Sequence, residues 1–293
     1  STDNCINEKI LVFVLLLYKL FNYKIFSKNL IVIFVSNYFT ILKHLTLNKT
    51  MLKLKNKTIS NIKSITNSQY LDIIGLIVVL LGSISLGYHK TIFSFSFDQT
   101  TYNFPLGIVS IINVGFSLIG NRLVTKKNNI GNFIATINTF FSGLIDYLLG
   151  NVGAILTYPV TFIGNYLVFN AWKKSNILRS VDAIFYRNIV LGFLFSFLLN
   201  FLAFYFFSKE TINWQLFFAI SVPAGITFGA TFNTARMYPD NWFMWQFYNI
   251  TKLIQNVLQM NWANVIKYCF YLVNAILGYI TWNDDKKIAE KQI

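Results

Sequence analysis

Residues 241–256 read Asn-Trp-Phe-Met-Trp-Gln-Phe-Tyr-Asn-Ile-Thr-Lys-Leu-Ile-Gln-Asn. On a helix Trp242, Trp245, Gln246 and Asn249 fall at i, i+3, i+4 and i+7, and Asn256 continues the row, so two indoles and three amides share one face. Indoles offer stacking surface, worth on the order of 1–3 kcal/mol per base where nucleobases have been tested. They also attract cationic rings by about 2 kcal/mol or more once water is excluded. Amides on adjoining turns bond a carboxamide or ribose hydroxyls and so set orientation. The chemistry is recognition of a flat polar heterocycle. The competing reading of such a face is interhelical glue, with Trp242 as an interfacial aromatic at the membrane edge.

An opposite wall comes from an internal repeat. Residues 103–172 lie over residues 213–282 at a constant offset of 110 without a gap, which sets Asn103 on Asn213, Gly115 on Gly225, Phe133 on Phe243, Asn151 on Asn261, Tyr158 on Tyr268 and Trp172 on Trp282. At this offset Asn132, Thr136, Thr139 and Gly143 match Trp242, Gln246, Asn249 and Leu253, so a small polar face would oppose an aromatic one. Tyr158, Thr161 and Asn165 add polar groups on one side, and Asn264, Tyr268, Tyr271 and Asn274 on the other. Duplicated helical units that share a midplane site are a common transporter plan.

The elements that must position these residues are membrane helices. Hydrophobic residues make up 55% of the 293 and charged residues only 12%, with mean hydropathy +0.51, too apolar for a soluble domain of this size. Eight stretches near the roughly 20 residues that cross a bilayer run over 71–87, 104–124, 131–149, 152–172, 189–207, 214–232, 242–258 and 262–282. The net charge of +14 comes from basic residues in alternate loops: Lys53, Lys55, Lys57 and Lys63, then Arg122, Lys126 and Lys127, then Lys173, Lys174, Arg179 and Arg187, then Arg236, then Lys286, Lys287 and Lys291. That asymmetry places both ends of the 51–293 region in the cytoplasm and is a topology signal, not a nucleic-acid surface.

Enzyme classes find little support. Cys5 and Cys269 are the only cysteines, His44 and His89 stand alone, and no nucleophile set, carboxylate pair, phosphate loop or metal cluster is legible, so neither a cofactor nor a metal is expected. Asp146 falls near the outer end of its segment and Asp72 at the inner end of the first, while Lys252 and Lys267 are expected to snorkel outward. With no acid at mid-membrane, facilitated diffusion is favoured over ion symport. Pro159 and the Pro223/Gly225 region are hinge candidates.

The chain organises as residues 1–50, an extension read as upstream sequence before a Met51 start, with an extra membrane hairpin as the alternative; 51–70, a basic cytoplasmic segment; 71–103, an added membrane helix and loop; 104–172, a first three-helix bundle; 173–212, a linker helix; 213–282, a second bundle; and 283–293, a cytoplasmic tail.

The run from Trp242 to Trp282, with its Asn-Trp-Ala-Asn turn at 261–264 and closing Leu-Gly-Tyr-Ile-Thr-Trp, resembles the C-terminal half of the PnuC family of vitamin transporters. Gly-Asn-Phe-Ile-Ala-Thr-Ile-Asn from Gly131, the turn from Gly150 and Asn-Ala-Trp-Lys-Lys at 170–174 are similar to that family's first bundle. The resemblance covers about residues 104–282. It implies an all-α SWEET-like fold of two parallel three-helix bundles joined by a linker helix, here with an N-terminal helix added. It also implies uptake of nicotinamide riboside by facilitated diffusion with alternating access, in a homotrimer of the cell membrane. Thiamine, riboflavin or deoxynucleosides are the sister substrates, and a SWEET-like sugar carrier or a non-transporting scaffold are the rivals. By position, the substrate residues it implies are Trp242, Trp245, Gln246, Asn249, Asn132, Thr136 and Thr139; Tyr158, Asn165 and Tyr268 join them from the polar-face reading. Many relatives carry an acid at or near Asn249, and this chain does not.

Overall fold

The computed structural model of the chain describes residues 49–97, 100–175, 177–208 and 214–291. The chain divides into two compact units, 1–58 and 59–293. The question of a Met51 start or an extra hairpin falls on residues 1–48, which lie outside the described residues. Among the described residues there are nine α-helices and one hairpin.

Two helices open the described chain, α1 (Lys49–Asn67) and α2 (Gln69–Ser85). Ser68 separates them: its hydroxyl accepts the Tyr70 N–H at 3.1 Å, capping α2, and the axis turns by 57° there. The basic segment is thus helical. Gly87, at φ +73°, ends the second helix as a left-handed residue that glycine adopts freely. β1 (Phe93–Phe97) and β2 (Thr100–Phe104) then pair antiparallel, Phe93 opposite Phe104. The loop expected before residue 104 carries this hairpin. Phe and Ser alternate along β1, the period-2 pattern of a strand, and Phe95 stacks on Tyr102 at 5.5 Å.

The remainder is α3 (Leu106–Thr125), α4 (Ile130–Leu148), α5 (Ala154–Lys174), α6 (Ala183–Phe207), α7 (Trp214–Ala235), α8 (Asn241–Leu258) and α9 (Trp262–Glu290). Helix ends and turns repeat at the offset of 110. Thr125 and Ala235 close α3 and α7, and Leu148 and Leu258 close α4 and α8. The left-handed turn residues Lys127 (φ 60°) and Met237 (φ 56°) correspond, as do Gly150 (φ 90°) and Met260 (φ 53°). Six helices pack in a closed ring, α3 on α4, α4 on α5, α5 on α7, α7 on α8, α8 on α9 and α9 back on α3. Outside it, α2 lies against α3 and α9, and α6 against α7 and α5, so these two helices hold matching places.

Among the described residues four helices, α3, α6, α7 and α9, are long and apolar enough to cross a membrane by length and composition, and the bent pair of Lys57–Asn67 with α2 makes a fifth if it is one span. The remaining expected spans, α4, α5 and α8, are full helices diluted by polar residues, among them Asn132, Thr136 and Asn138 in α4 and Asn249, Lys252, Gln255 and Asn256 in α8, all buried. Those side chains look inward, where the ring supplies partners that lipid cannot. Outward faces are apolar, as with Val190, Leu194 and Phe201 of α6.

Polar and apolar contacts tie the outer helix to the ring. Arg122, only 1% exposed, donates through Nε to Asp72 (2.6 Å), through one terminal nitrogen to Asn274 Oδ1 (2.5 Å) and through the other to the Thr66 carbonyl (2.5 Å). Val79 of α2 packs with Val114 and Leu118 of α3 and Tyr271 of α9. Between α6 and α7 the backbones touch: a Cβ on Gly192 would sit 2.5 Å from Gly229 N, and one on Gly225 would sit 2.7 Å from the Phe193 ring. The Gly225 region is therefore a close helix crossing.

Candidate functional site

The ring surrounds a cavity of about 210 Å³, lined by residues of α3, α4, α5, α7, α8 and α9. Of the residues singled out from the sequence, Trp242, Trp245, Asn249, Asn132, Thr139, Tyr158, Asn165 and Tyr268 line it. Thr136 and Gln246 do not. Thr136 turns its hydroxyl back to the Asn132 carbonyl (2.9 Å), and Gln246 donates to the Leu272 carbonyl of α9 (2.9 Å), which makes it interhelical glue.

The two indoles behave differently. Trp242 is 4% exposed, stands edge-on to Trp282 at 5.5 Å, and presses on Gly278, where an added Cβ would lie 2.7 Å from its ring. Its Nε1–H has no hydrogen-bond partner among the described residues. Trp245, half-buried, donates to Thr234 Oγ1 at 3.3 Å and meets the Tyr248 ring at 5.4 Å. One turn deeper, Asn249 is buried against the cavity, and no described protein group bonds its amide. Across the chamber Asn165 Nδ2 donates to Thr139 Oγ1 (2.8 Å), whose own hydroxyl donates to the Ala135 carbonyl (2.7 Å). Asn132 Nδ2 donates to Asn129 Oδ1 at 3.0 Å, and the Tyr268 and Tyr248 hydroxyls are 3.3 Å apart.

Behind the lining residues Val168, Trp242 and Ala275, indoles from both halves of the repeat pack together. Trp172 Nε1 donates to the Thr234 carbonyl at 2.8 Å and Trp282 Nε1 to the Thr125 carbonyl at 2.9 Å, with the two rings 5.7 Å apart. Each half thus caps the last turn of the other half's first helix. Lys127, whose ammonium lies 6.0 Å from the Trp282 ring centre, is bonded to Asp285, and Lys63 is paired with Asp284 at 2.5 Å.

Charge also lines the chamber, and here the sequence expectation is corrected. Asp146 and Lys252 face inward: Lys252 Nζ donates to Asp146 Oδ2 at 2.8 Å and to Gln255 Oε1 at 3.0 Å, and Tyr158 OH donates to the same carboxylate oxygen at 2.6 Å. Both members of the pair line the cavity, 4% and 5% exposed. Lys267, also expected to snorkel, is 4% exposed and lines the cavity too. Position along the helix is a poor guide here because a side chain near a helix end can still lie on the ring's inner face. The available signal was coincidence of faces: Lys252 follows Trp245 and Asn249 at i+7 and i+3. Missed amides and hydroxyls, Asn113, Ser117, Asn121 and Asn138, also line the wall.

The sequence profile of the nicotinamide mononucleotide transporter family matches residues 107–284, more than half of the chain. The chain belongs to that family. Its members are membrane transporters of the PnuC type, not enzymes. No curated protein matches the sequence of this PnuC-type chain. A crystal structure of the vitamin B3 transporter PnuC is similar in fold, with a TM-score of 0.57 over 75% of this chain and 93% of that one, at 11% identity. At that identity the likeness speaks for architecture alone.

Proposed function

We propose that this PnuC-family member carries nicotinamide riboside and its close derivatives across the cell membrane by facilitated diffusion, exposing the central cavity alternately to each side. The observation that carries the reading is the pairing of a half-buried indole, Trp245, with the unpartnered amide of Asn249 one turn below it, on a chamber otherwise walled by amides and hydroxyls. A pyridinium ring stacks on the first and a carboxamide or ribose hydroxyl bonds the second. Asn132, Thr139, Tyr158, Asn165 and Tyr268 face the same space. Trp242, Thr136 and Gln246 support the chamber by packing and hydrogen bonding around it. Thiamine, riboflavin and deoxynucleosides are the alternative cargoes.

The architecture we infer is two parallel bundles, α3–α5 and α7–α9, joined by α6, with α2 added, and the C-terminus in the cytoplasm beside the basic loops. Its support is the offset of 110 that recurs in helix ends and left-handed turns. Rocking one bundle on the other would part the Trp172/Trp282 contact, where the two indole bonds and the packed rings join them. The buried carboxylate does not argue for ion coupling, because Lys252 already neutralises it. A homotrimer completes the proposal, on the family resemblance.

Purified protein in liposomes tests this directly. Saturable flux of labelled nicotinamide riboside that is indifferent to proton and sodium gradients is the expected result. Flux of thiamine, riboflavin or a deoxynucleoside in its place would reassign the cargo, and no saturable flux of any of them would remove the transport reading.

A further inference from the structure

The chamber's lining carries two lysines, Lys252 and Lys267, against one aspartate, Asp146. Asp146 is committed to Lys252 and Tyr158. Lys267 has no carboxylate within 4.0 Å and no hydrogen-bond acceptor among the described residues. Its ammonium instead lies 4.5 Å from the Tyr268 ring centre and 5.8 Å from that of Tyr271. Aromatic faces attract a cation but accept no conventional hydrogen bonds, so the ammonium's donors stay available to whatever enters the cavity.

We infer that Lys267 is the anchor for an anionic group, a phosphate or carboxylate, on the transported heterocycle. The inference rests on the cavity being the substrate site and narrows the class of molecule it takes. Three further features agree with it. Lys267 sits on the first turns of α9, whose N-terminus at Trp262 brings positive dipole potential to that end of the chamber. Lys252 and Lys267 flank the α8–α9 turn at similar distances in sequence, so the two ammonium groups share one end. Trp245 precedes Lys252 by seven residues on α8, which at 1.5 Å per residue separates the stacking indole from the cationic end by about 10 Å along the helix. A ring at one end and an acid at the other, with a sugar-length spacer between, matches that layout.

A charge-assisted hydrogen bond from a buried ammonium is worth roughly tenfold or more in affinity. Equilibrium binding to the full chain in detergent is measured with three labelled probes: nicotinamide riboside, nicotinamide mononucleotide, which adds a phosphate, and nicotinic acid riboside, which carries a ring carboxylate. The expected result is that one acidic probe binds the wild type roughly tenfold tighter than the riboside, that its advantage disappears in Lys267→Gln, and that Lys267→Arg keeps it. Preference for the mononucleotide identifies a phosphate, and preference for the acid riboside a carboxylate. Equal or weaker binding of both acidic probes by the wild type overturns the inference, as does an acidic preference that survives in folded Lys267→Gln. If the glutamine variant does not fold, the wild-type comparison still decides. Binding of the riboside without an acidic preference would sink this inference and leave the proposed function standing, whereas no saturable binding of any probe would count against both.

Discussion

Removing one member of the Asp146–Lys252 pair should leave a charge stranded in a membrane interior. In Asp146→Asn the Lys252 ammonium would keep only Gln255 Oε1 at 3.0 Å, and Tyr158 OH would lose its charged acceptor at 2.6 Å. Breaking a buried pair from one side costs about 3–5 kcal/mol. The pair lines a polar cavity, so the lower figure applies. At about 2–4 °C per kcal/mol for a chain of this size, a loss of about 3 kcal/mol lowers the melting temperature by roughly 6–12 °C. Lys252→Met should cost a similar amount, because it strands the carboxylate. The double variant should melt within about 3 °C of the wild type, since a neutral replacement for a whole buried pair is near neutral in stability. Thermal unfolding in detergent, followed by intrinsic tryptophan fluorescence, reads all four proteins as one cycle. If both single variants melt with the wild type, or if the double variant loses the sum of the two, the pair is not an interior contact and the inward placement of Lys252 is wrong.

Other perturbations separate packing from recognition. Trp245→Ala should abolish saturable riboside binding while moving the melting temperature little; Trp242→Ala should instead destabilise by about 3–5 kcal/mol, as truncation of a buried aromatic does. Loss of binding in neither variant would remove the indole wall. Gly278→Ala places a Cβ 2.7 Å from the Trp242 ring and should cost about 1–3 kcal/mol through overpacking, seen as a lower melting temperature. Gln246→Ala should leave transport kinetics intact, because its amide serves the Leu272 carbonyl and not the chamber; a changed KM would return it to the site. Met260 occupies a left-handed turn position where the first half of the chain has Gly150, so Met260→Gly should stabilise by about 1 kcal/mol, a rise of a few degrees in the same melt.

The constant offset of 110 was readable from spaced Trp, Asn and Gly alone. Its structural counterpart includes details that composition does not dictate, such as Met260 holding the backbone of Gly150. A duplicated unit preserves register because each turn must deliver the next helix to the same neighbour, whatever residue stands in the turn. The hairpin was not legible in the sequence, which reads as loop over residues 88–103; Phe and Ser alternate in Phe93–Phe97, too short a run to stand apart from its apolar surroundings. Amphipathic spacing placed Trp245 and Asn249 on an inner face because lipid has no partner for an amide.

Tertiary structure alone decided which polar residues meet. Gln246 and Asn249 are equivalent by type and lie on adjoining turns, yet one is spent on a neighbouring backbone and the other faces open space. Asp146 and Lys252 are 106 residues apart in the chain and become partners only because α4 and α8 stand across one ring. A sequence records the period of each helix and hence which side of it is polar. The angle at which that side points into a cavity, or past it to another helix, depends on how six helices close on one another, and no local pattern carries that sum.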